Sequence, residues 1–517
     1  MNPIVQNLSF SSQGEHVQIG DMQYEFNVQL YNGDGNSIGI KYPSIVELCI
    51  SDLITTFAPD GYLIFNNPLD AIESVQSIST DVRGMPQQAF TPFTFRGDGR
   101  DFLVINIKPS VNIGDSDPLN TSDDNEYSFS YVFTVYDMQD IITDDREVKL
   151  KKLFLCDLTF QILNEKNSYF STAKMTDGKG KSNTERSAFT GQALRQLLSD
   201  VLSKDTKLKQ SFSTEWDLGS EKIFYSSPAG NKAIDDLYYL LDYHVSGKEN
   251  DYCPALLRKS RKNVWALTPI TKLFRTAYYK GSSSFGDIGG TGLSENFILG
   301  KPTTGDYDPL NVIERNPSSS VFANNLPDYS YIENFESASI SATSNTLGVA
   351  THVVHSYDPA NKTFSIDLTE NNINSSYNKY KKYFVNSQKG VMGSSPSPNI
   401  FLNKTKTENK SIQHVFNPNT NQSIRLNSGT NKIMLNSIFN NTTIAFKTRG
   451  SILREAGKFF TLERRDFANN SAFDNKMLGT YFITKVDHVF KNGQYYNYIV
   501  GVKTYAAESM NMSNEII

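Results

Sequence analysis

Lysine, glycine and serine meet at Gly178-Lys179-Gly180-Lys181-Ser182, a combination seen where a loop cradles phosphate. A complete phosphate loop needs a further glycine at position 175, between a buried strand and a helix. Met175 stands there, and SYFSTAKMT is a poor buried strand, so the segment reads as a solvated loop. His352 and His355 share the apolar run THVVH. On a strand, residues three apart point to opposite faces and cannot converge on one metal ion. Val353 and Val354 disfavour the helix that would bring them together. His488 alternates with Val486 and Phe490 and reads as a hydrogen-bonded core or interface histidine. His16, His244 and His414 have no partner at ligand spacing. The adjacent carboxylates Asp144-Asp145 and Asp235-Asp236 read as solvated charges on a turn or helix face. Neither G-x-S-x-G nor H-E-x-x-H is present. Arg96-Gly97-Asp98 reads as a turn between strands. Tyr377, Tyr380, Tyr383 and Phe384, beside Lys379, Lys381 and Lys382, have the ingredients of nucleic-acid stacking. A short amphipathic segment accounts for them better in an acidic chain. No catalytic, cofactor-binding or metal-ligating residue is therefore named, and no cofactor is expected.

Composition narrows the classes. The 517 residues carry 50 Lys plus Arg against 55 Asp plus Glu, a net charge of −5, which argues against a general nucleic-acid binder. Cys49, Cys156 and Cys253 are too few and too scattered for a disulfide framework or a cysteine-built zinc site, so a reduced compartment is expected. The first residues lack the basic and apolar regions of a signal peptide. No apolar run approaches the roughly 20 residues that a membrane helix needs, so no membrane insertion is expected. Phe 33 and Tyr 27 favour pleated surfaces.

The elements follow from periodicity. Tyr24, Phe26, Val28 and Leu30 alternate with polar residues, as do Tyr127, Phe129, Tyr131, Phe133 and Val135, broken only by Val132 on the other face, and then Leu158, Phe160 and Ile162. VELCISDL, GYLIFNN and DFLVINIK are denser runs suited to covered strands. Residues 1–165 thus predict a β domain. Ala193, Leu194, Leu197, Leu198, Val201 and Leu202 form a helical stripe, with Thr190 as its expected N-cap. Ala233, Ile234, Leu237, Leu240 and Leu241 form another, and CPALLRKSRKNVWALTPI predicts two strands around a basic turn. Residues 166–430 form a middle region, in which 281–345 and 385–430 are rich in Ser, Gly, Asn and Pro and suggest long loops. The strand-like THVVHSYD and KTFSIDLTE lie between those stretches. Residues 431–517 return to strands. FITKVDHVF and YYNYIVGVKTY flank Asn492-Gly493, a strong hairpin signal. Phe482, Val486 and Phe490 are expected on one face, and Tyr496, Tyr498, Val500 and Val502 on another. Gly450 and Gly457 mark bends upstream.

The C-terminal stretch resembles the end of the central baseplate hub proteins of contractile-tailed bacteriophages and the related hub domains of secretion systems. The residues that carry the resemblance are Arg449 and Gly450, Gly457, then Gly479, Tyr481, Ile483, Val486, His488 and Phe490, with Gly493 in the turn and Tyr495, Tyr496 and Tyr498 on the return strand. YSFSYVFTVYDMQDI running into VKLKKLFLCDLTFQI is similar to the hub's first tube-like domain. AIDDLYYLLDYHVS with ALLRKSRKNVWALTPITKLF looks like the segment that links two such domains.

The resemblance implies a β-rich α+β multidomain protein with two tail-tube-like β-barrel domains and a helical, loop-rich middle. It implies a non-enzymatic homotrimer in the virion tail baseplate, formed in the host cytoplasm, that joins a hexameric tail tube to a trimeric spike and lines a channel for DNA. Tail tube protein, spike protein, tape-measure protein and baseplate wedge proteins are its implied partners. Two other classes stay open on the sequence: a carbohydrate-binding or adhesin-like β protein, and a hub-associated cell-wall hydrolase.

Overall fold

The computed structural model describes residues 14–503 apart from 20–21, 34–36, 55, 67–74, 81–85, 92–94, 96–98, 110–128, 143–148, 176–186, 206–209, 221, 247–254, 260–263, 270–294, 300–332, 339–351, 359–362, 369–410, 417–442, 453 and 465–478. The chain begins with strands β1 (Glu15–Ile19), β2 (Met22–Tyr31), β3 (Ser37–Gly39), β4 (Ile45–Leu53), β5 (Asp60–Asn66), β6 (Val75–Thr80), β7 (Pro86–Thr91), β8 (Phe102–Pro109), β9 (Phe129–Ile142) and β10 (Lys149–Asp157). Then come α1 (Leu158–Glu165), β11 (Ala188–Phe189), α2 (Thr190–Leu198), β12 (Ser211–Phe212), β13 (Lys222–Ile223), α3 (Ala233–Asp242), β14 (Ala255–Lys259) and β15 (Val264–Pro269). The remaining strands are β16 (Glu295–Leu299), β17 (Glu333–Ala338), β18 (His352–Asp358), β19 (Thr363–Leu368), β20 (Ser411–Phe416), β21 (Thr443–Arg449), β22 (Phe459–Arg464), β23 (Gly479–Lys491) and β24 (Gln494–Lys503).

One large sheet dominates, in the order β1-β2-β8-β9-β10-β5-β4-β23-β24-β21-β17, with β22 on the free side of β23 and β16 beyond it. The β-rich character read from alternation is present. Tyr24, Phe26, Val28 and Leu30 all enter one core, together with Phe133, Val135, Leu153 and Leu155. The sheet curls. Phe26 of β2 meets the Phe490 ring of β23 at 5.8 Å, and Tyr24 meets Tyr495 of β24 at 6.0 Å, although many strands lie between them. Burial of each such ring contributes roughly 1.5–3 kcal/mol, and this drives the curl. Gly450 makes part of the closure possible: the Tyr495 ring lies over it, and a Cβ there would sit 2.3 Å from the ring.

One expected strand is a helix. Leu158, Phe160 and Ile162 belong to α1, because the Asp157 carboxylate accepts a hydrogen bond from the Thr159 amide and caps the first turn. That side chain–backbone bond outweighs a short alternation.

The C-terminal hairpin forms as the Asn-Gly signal predicts. Asn492 and Gly493 both take positive φ, 52° and 72°, as a two-residue turn of this hand requires. The faces of β23 differ from expectation. Ile483 pairs with Gly501 and Lys485 with Val500, so Thr484 is an extra residue, a β-bulge. The bulge reverses the alternation. Tyr481, Ile483 and Val486 therefore share a second core with Ile444, Phe446, Phe460, Leu462 and Ile499, while Phe490 lies in the first core. On β24, Tyr496, Tyr498 and Val500 share the more open face, as expected, and Tyr495, Asn497, Ile499 and Gly501 the buried one; Val502, expected with the first three, is buried. Residues 281–345, expected as loops, contribute β16 and β17 to the sheet. THVVHSYD and KTFSIDLTE are strands, as expected, and as β18 and β19 they pair with each other, with β20 alongside.

The three helices pack around a separate core. The expected stripe on α2 is buried and continues through a π-helical turn to Val201 and Leu202. Thr190 is not the N-cap: the helix begins at Thr190 itself, and its hydroxyl bonds His244 instead. The predicted strands β14 and β15 pair antiparallel. Phe57, from the β4–β5 turn, is buried in the helical core beside Trp265 (5.4 Å) and Phe160 (5.8 Å). No helix among the described residues is long and apolar enough to cross a membrane.

Candidate functional site: the seam between two sheet regions

The two sheet regions meet where β4 pairs with the second half of β23, from Lys485 opposite Leu53 to Lys491 opposite Glu47. The first part of β23 pairs instead with β22, up to Phe482 opposite Phe459. The Thr484 bulge separates the two stretches.

On the side facing the cores, charge locks the seam. Asp52 Oδ2 accepts from Arg258 Nη2 at 2.6 Å and from the Ala456 amide at 3.0 Å. One carboxylate thus ties β4, β14 and the β21–β22 connection together. Neighbouring Lys259 pairs with Asp157 at 2.9 Å, so the end of β14 is held to the end of β10. His488 is fully buried nearby, as its alternation predicted. Its Nε2 lies 3.1 Å from the Arg454 carbonyl and its Nδ1 2.7 Å from the Tyr495 hydroxyl. The Nε2–H therefore donates to the carbonyl, and Nδ1 accepts from the tyrosine. Asn497 Oδ1 accepts from the Ser451 amide and from Arg454 Nη1.

The opposite face runs without a break from β10 to β21 and carries tethered lysines. Lys491 bonds Glu47 at 2.7 Å, and Lys485 bonds Asp487 at 2.8 Å. Lys152 lies over the Tyr62 and Phe154 rings, and Lys447 over Tyr496. Burial pushes the Glu47 carboxyl up, but hydrogen bonds from Lys491 and Tyr62 outweigh it and hold the group below its usual value. The thiols of Cys49 and Cys156 are each pushed up to about 12, chiefly by burial, so neither is a ready nucleophile.

Asp60 and Asp487 flank Ser51 on this face, and the Ser51 hydroxyl donates to Asp487 at 2.5 Å. Burial and then the Asp487 charge raise the Asp60 pKa. Because the folded value is above the unfolded one, this group favours folding below the ordinary aspartate pKa. That contribution is lost as pH rises through the raised value. Asp60→Asn should therefore be more stable than the parent at neutral pH, by under about 1 kcal/mol after solvent screening. The gain should shrink as pH falls through that window. A melting-temperature difference independent of pH would refute the coupling.

Asp217, His244 and Ser246 converge in the helical region, with Thr190 on the other ring nitrogen. Ser246 and Asp217 both sit at Nε2, not on opposite nitrogens as an acid-oriented base requires. Thr190, His244 and Ser246 are buried, which seals the hydroxyls from substrate. Burial pushes the Asp217 carboxyl up, but hydrogen bonds and charge from His244, with Ser246, hold it below the usual range.

No group able to hold a metal ion is found among the described residues. The Gly178–Ser182 loop, Arg96-Gly97-Asp98, Asp144-Asp145, Cys253 and the 375–384 segment lie outside the described residues. His352 and His355 stand on β18, the strand expected for them. Asp235 and Asp236 lie in the first turn of α3, where Asp236 is buried, not solvated, and accepts from Tyr225, Ser227 and Asn231. Asp52, Arg258 and Asn497 were not singled out in the sequence. The one signal was Arg258 inside the apolar strand ALLRK, where a buried cation demands a carboxylate.

No family profile matches the chain, and no curated protein does. Among solved structures it is similar to a tail protein from Neisseria meningitidis MC58, at 7% identity and TM-score 0.45, over 92% of this chain and 96% of that one. It is similar to the 43 kDa tail protein of prophage MuSo2 from Shewanella oneidensis, at 10% identity and TM-score 0.44, over 93% and 98%. It is also similar to a chain of the lidded Francisella PdpA-VgrG complex, at 10% identity and TM-score 0.42, over 97% of this chain and 54% of that one.

Proposed function

We propose that the protein is a non-enzymatic structural component of a phage tail: a homotrimeric baseplate hub that joins the tail tube to the spike. One observation carries this reading. The strand order β8-β9-β10-β5-β4 in the first sheet region is repeated by β22-β23-β24-β21-β17 in the second, with the same order along the chain. Each five-strand unit is one tube-like module. Three copies supply six modules, so a threefold assembly offers near-sixfold symmetry to a hexameric tube while keeping threefold symmetry for a trimeric spike.

Size and charge support the reading. The run from β9 to β17 has eight strands. Three copies give about 24 strands, and at about 4.8 Å between neighbours the ring is roughly 37 Å across before strand tilt widens it. The tethered lysines fit a passage for DNA, because retention of DNA depends on cations free to neutralise phosphate. Tape-measure and wedge proteins are further candidate partners.

Solution mass and low-resolution imaging test the proposal. The expected result is a trimer with a central channel that binds purified tube and spike proteins. A monomer at assembly concentrations, with no affinity for either, would overturn it. A cleared zone on a peptidoglycan gel would overturn the non-enzymatic part.

A further inference from the structure

The repeat extends to the details of its longest strands. β9 pairs with β8 as far as Thr134 and carries an extra residue at Tyr136, between Val135 opposite Leu155 and Asp137 opposite Phe154. β23 pairs with β22 as far as Phe482 and carries its extra residue at Thr484. In both, the bulge falls two residues beyond the last pair. Past the bulge their surroundings differ. β23 pairs with β4 on its second edge, whereas β9 beyond Tyr136 has a strand on one edge only among the described residues, and Tyr136, Asp137, Gln139 and Asp140 are exposed. The counterpart of β4 in the second region is β17, which among the described residues likewise pairs on one side only, with β21. The described residues thus contain one filled seam and the two separate halves of a second.

We infer that residues 139–142 of one copy pair antiparallel with β17 of the next copy, in the register of the internal β4–β23 seam. The inference rests on the trimeric reading and specifies its subunit contact. Direction agrees: successive strands from β9 to β17 are antiparallel, so the two ends of an eight-strand run are antiparallel to each other when a ring closes. Register follows by equivalence. Cys49 pairs with Tyr62 as Glu336 pairs with Ala445, and Ser51 with Asp60 as Ala338 with Thr443. On the long strands, Asp487 corresponds to Gln139, and Val489 to Ile141. The internal pairs Asp487–Ser51 and Val489–Cys49 therefore translate into Gln139 opposite Ala338 and Ile141 opposite Glu336 across subunits. Such pairing also hides two exposed edges that would otherwise recruit unrelated strands.

Cysteine cross-linking tests the register. Residues directly opposite on antiparallel strands lie within disulfide reach, whereas a one-residue slip turns the side chains to opposite faces. Under mild oxidation, full-length Gln139→Cys/Ala338→Cys should become a covalent trimer on a non-reducing gel. Gln139→Cys/Ser337→Cys and the single variants should not. In the unmodified trimer, the amides of 139–142 should exchange as slowly as those of 487–490. A trimeric mass with no cross-link, or with fast exchange at 139–142, would overturn this contact and leave the trimer standing. A monomeric mass would overturn the hub reading itself.

Discussion

Asp52→Ala should destabilise the protein by about 3–5 kcal/mol, the usual consequence of leaving one member of a buried ion pair alone. The side chains of Asp52 and Arg258 are only 10% and 6% exposed, so water cannot solvate the orphaned guanidinium. The same carboxylate oxygen also accepts the Ala456 amide, so three regions lose their common anchor. Glu455 lies 3.9 Å from Arg258 and is too distant to replace a 2.6 Å bond. Thermal denaturation should show a clearly lower first transition. Asp52→Ala/Arg258→Met should regain part of the loss, because the desolvated charge is removed as well. If the double variant falls by the sum of the two single losses, the unpaired charge is not the cause.

Phe57→Ala should cost a further large amount, about 3–5 kcal/mol, through the cavity it leaves. Phe57 is 4% exposed and is the aromatic link from the β4–β5 turn to the helices. Its loss should act locally. Under limited proteolysis, the helical region around residues 158–269 should be cut earlier than in the parent, while the β23–β24 hairpin stays protected. Equal cleavage rates in parent and variant would show that the backbone bond from the Lys259 amide to the Phe57 carbonyl, with the Arg258–Asp52 and Lys259–Asp157 pairs, suffices to hold the helices.

Local structure was legible wherever a single physical rule decides it. Asn492-Gly493 announced its hairpin because few residues accept positive φ. The apolar stripes of α2 and α3 announced helices, and Tyr24 to Leu30 announced a half-buried strand. The apolar residues two positions to either side of His488, Val486 and Phe490, mark it as a buried histidine. Misreadings arose where one residue redirects its neighbours. Asp157 turns an alternating run into α1, and Thr484 reverses the faces that Phe482 and Phe490 were expected to share. The seam itself was illegible. Nothing local to VELCISDL states that it pairs with a strand more than four hundred residues away, or that Asp52 within it meets Arg258. Such pairings depend on the summed burial of whole elements.

The passage of β23 through both sheet regions has a mechanical consequence. Because β23 runs uninterrupted from the second sheet region into the first, the two share a continuous hydrogen-bonded backbone and not a flexible tether. Torque applied to one region passes to the other through peptide groups with little angular slack. A force arriving at one end of the molecule would therefore turn both regions together, as a single stiff lever.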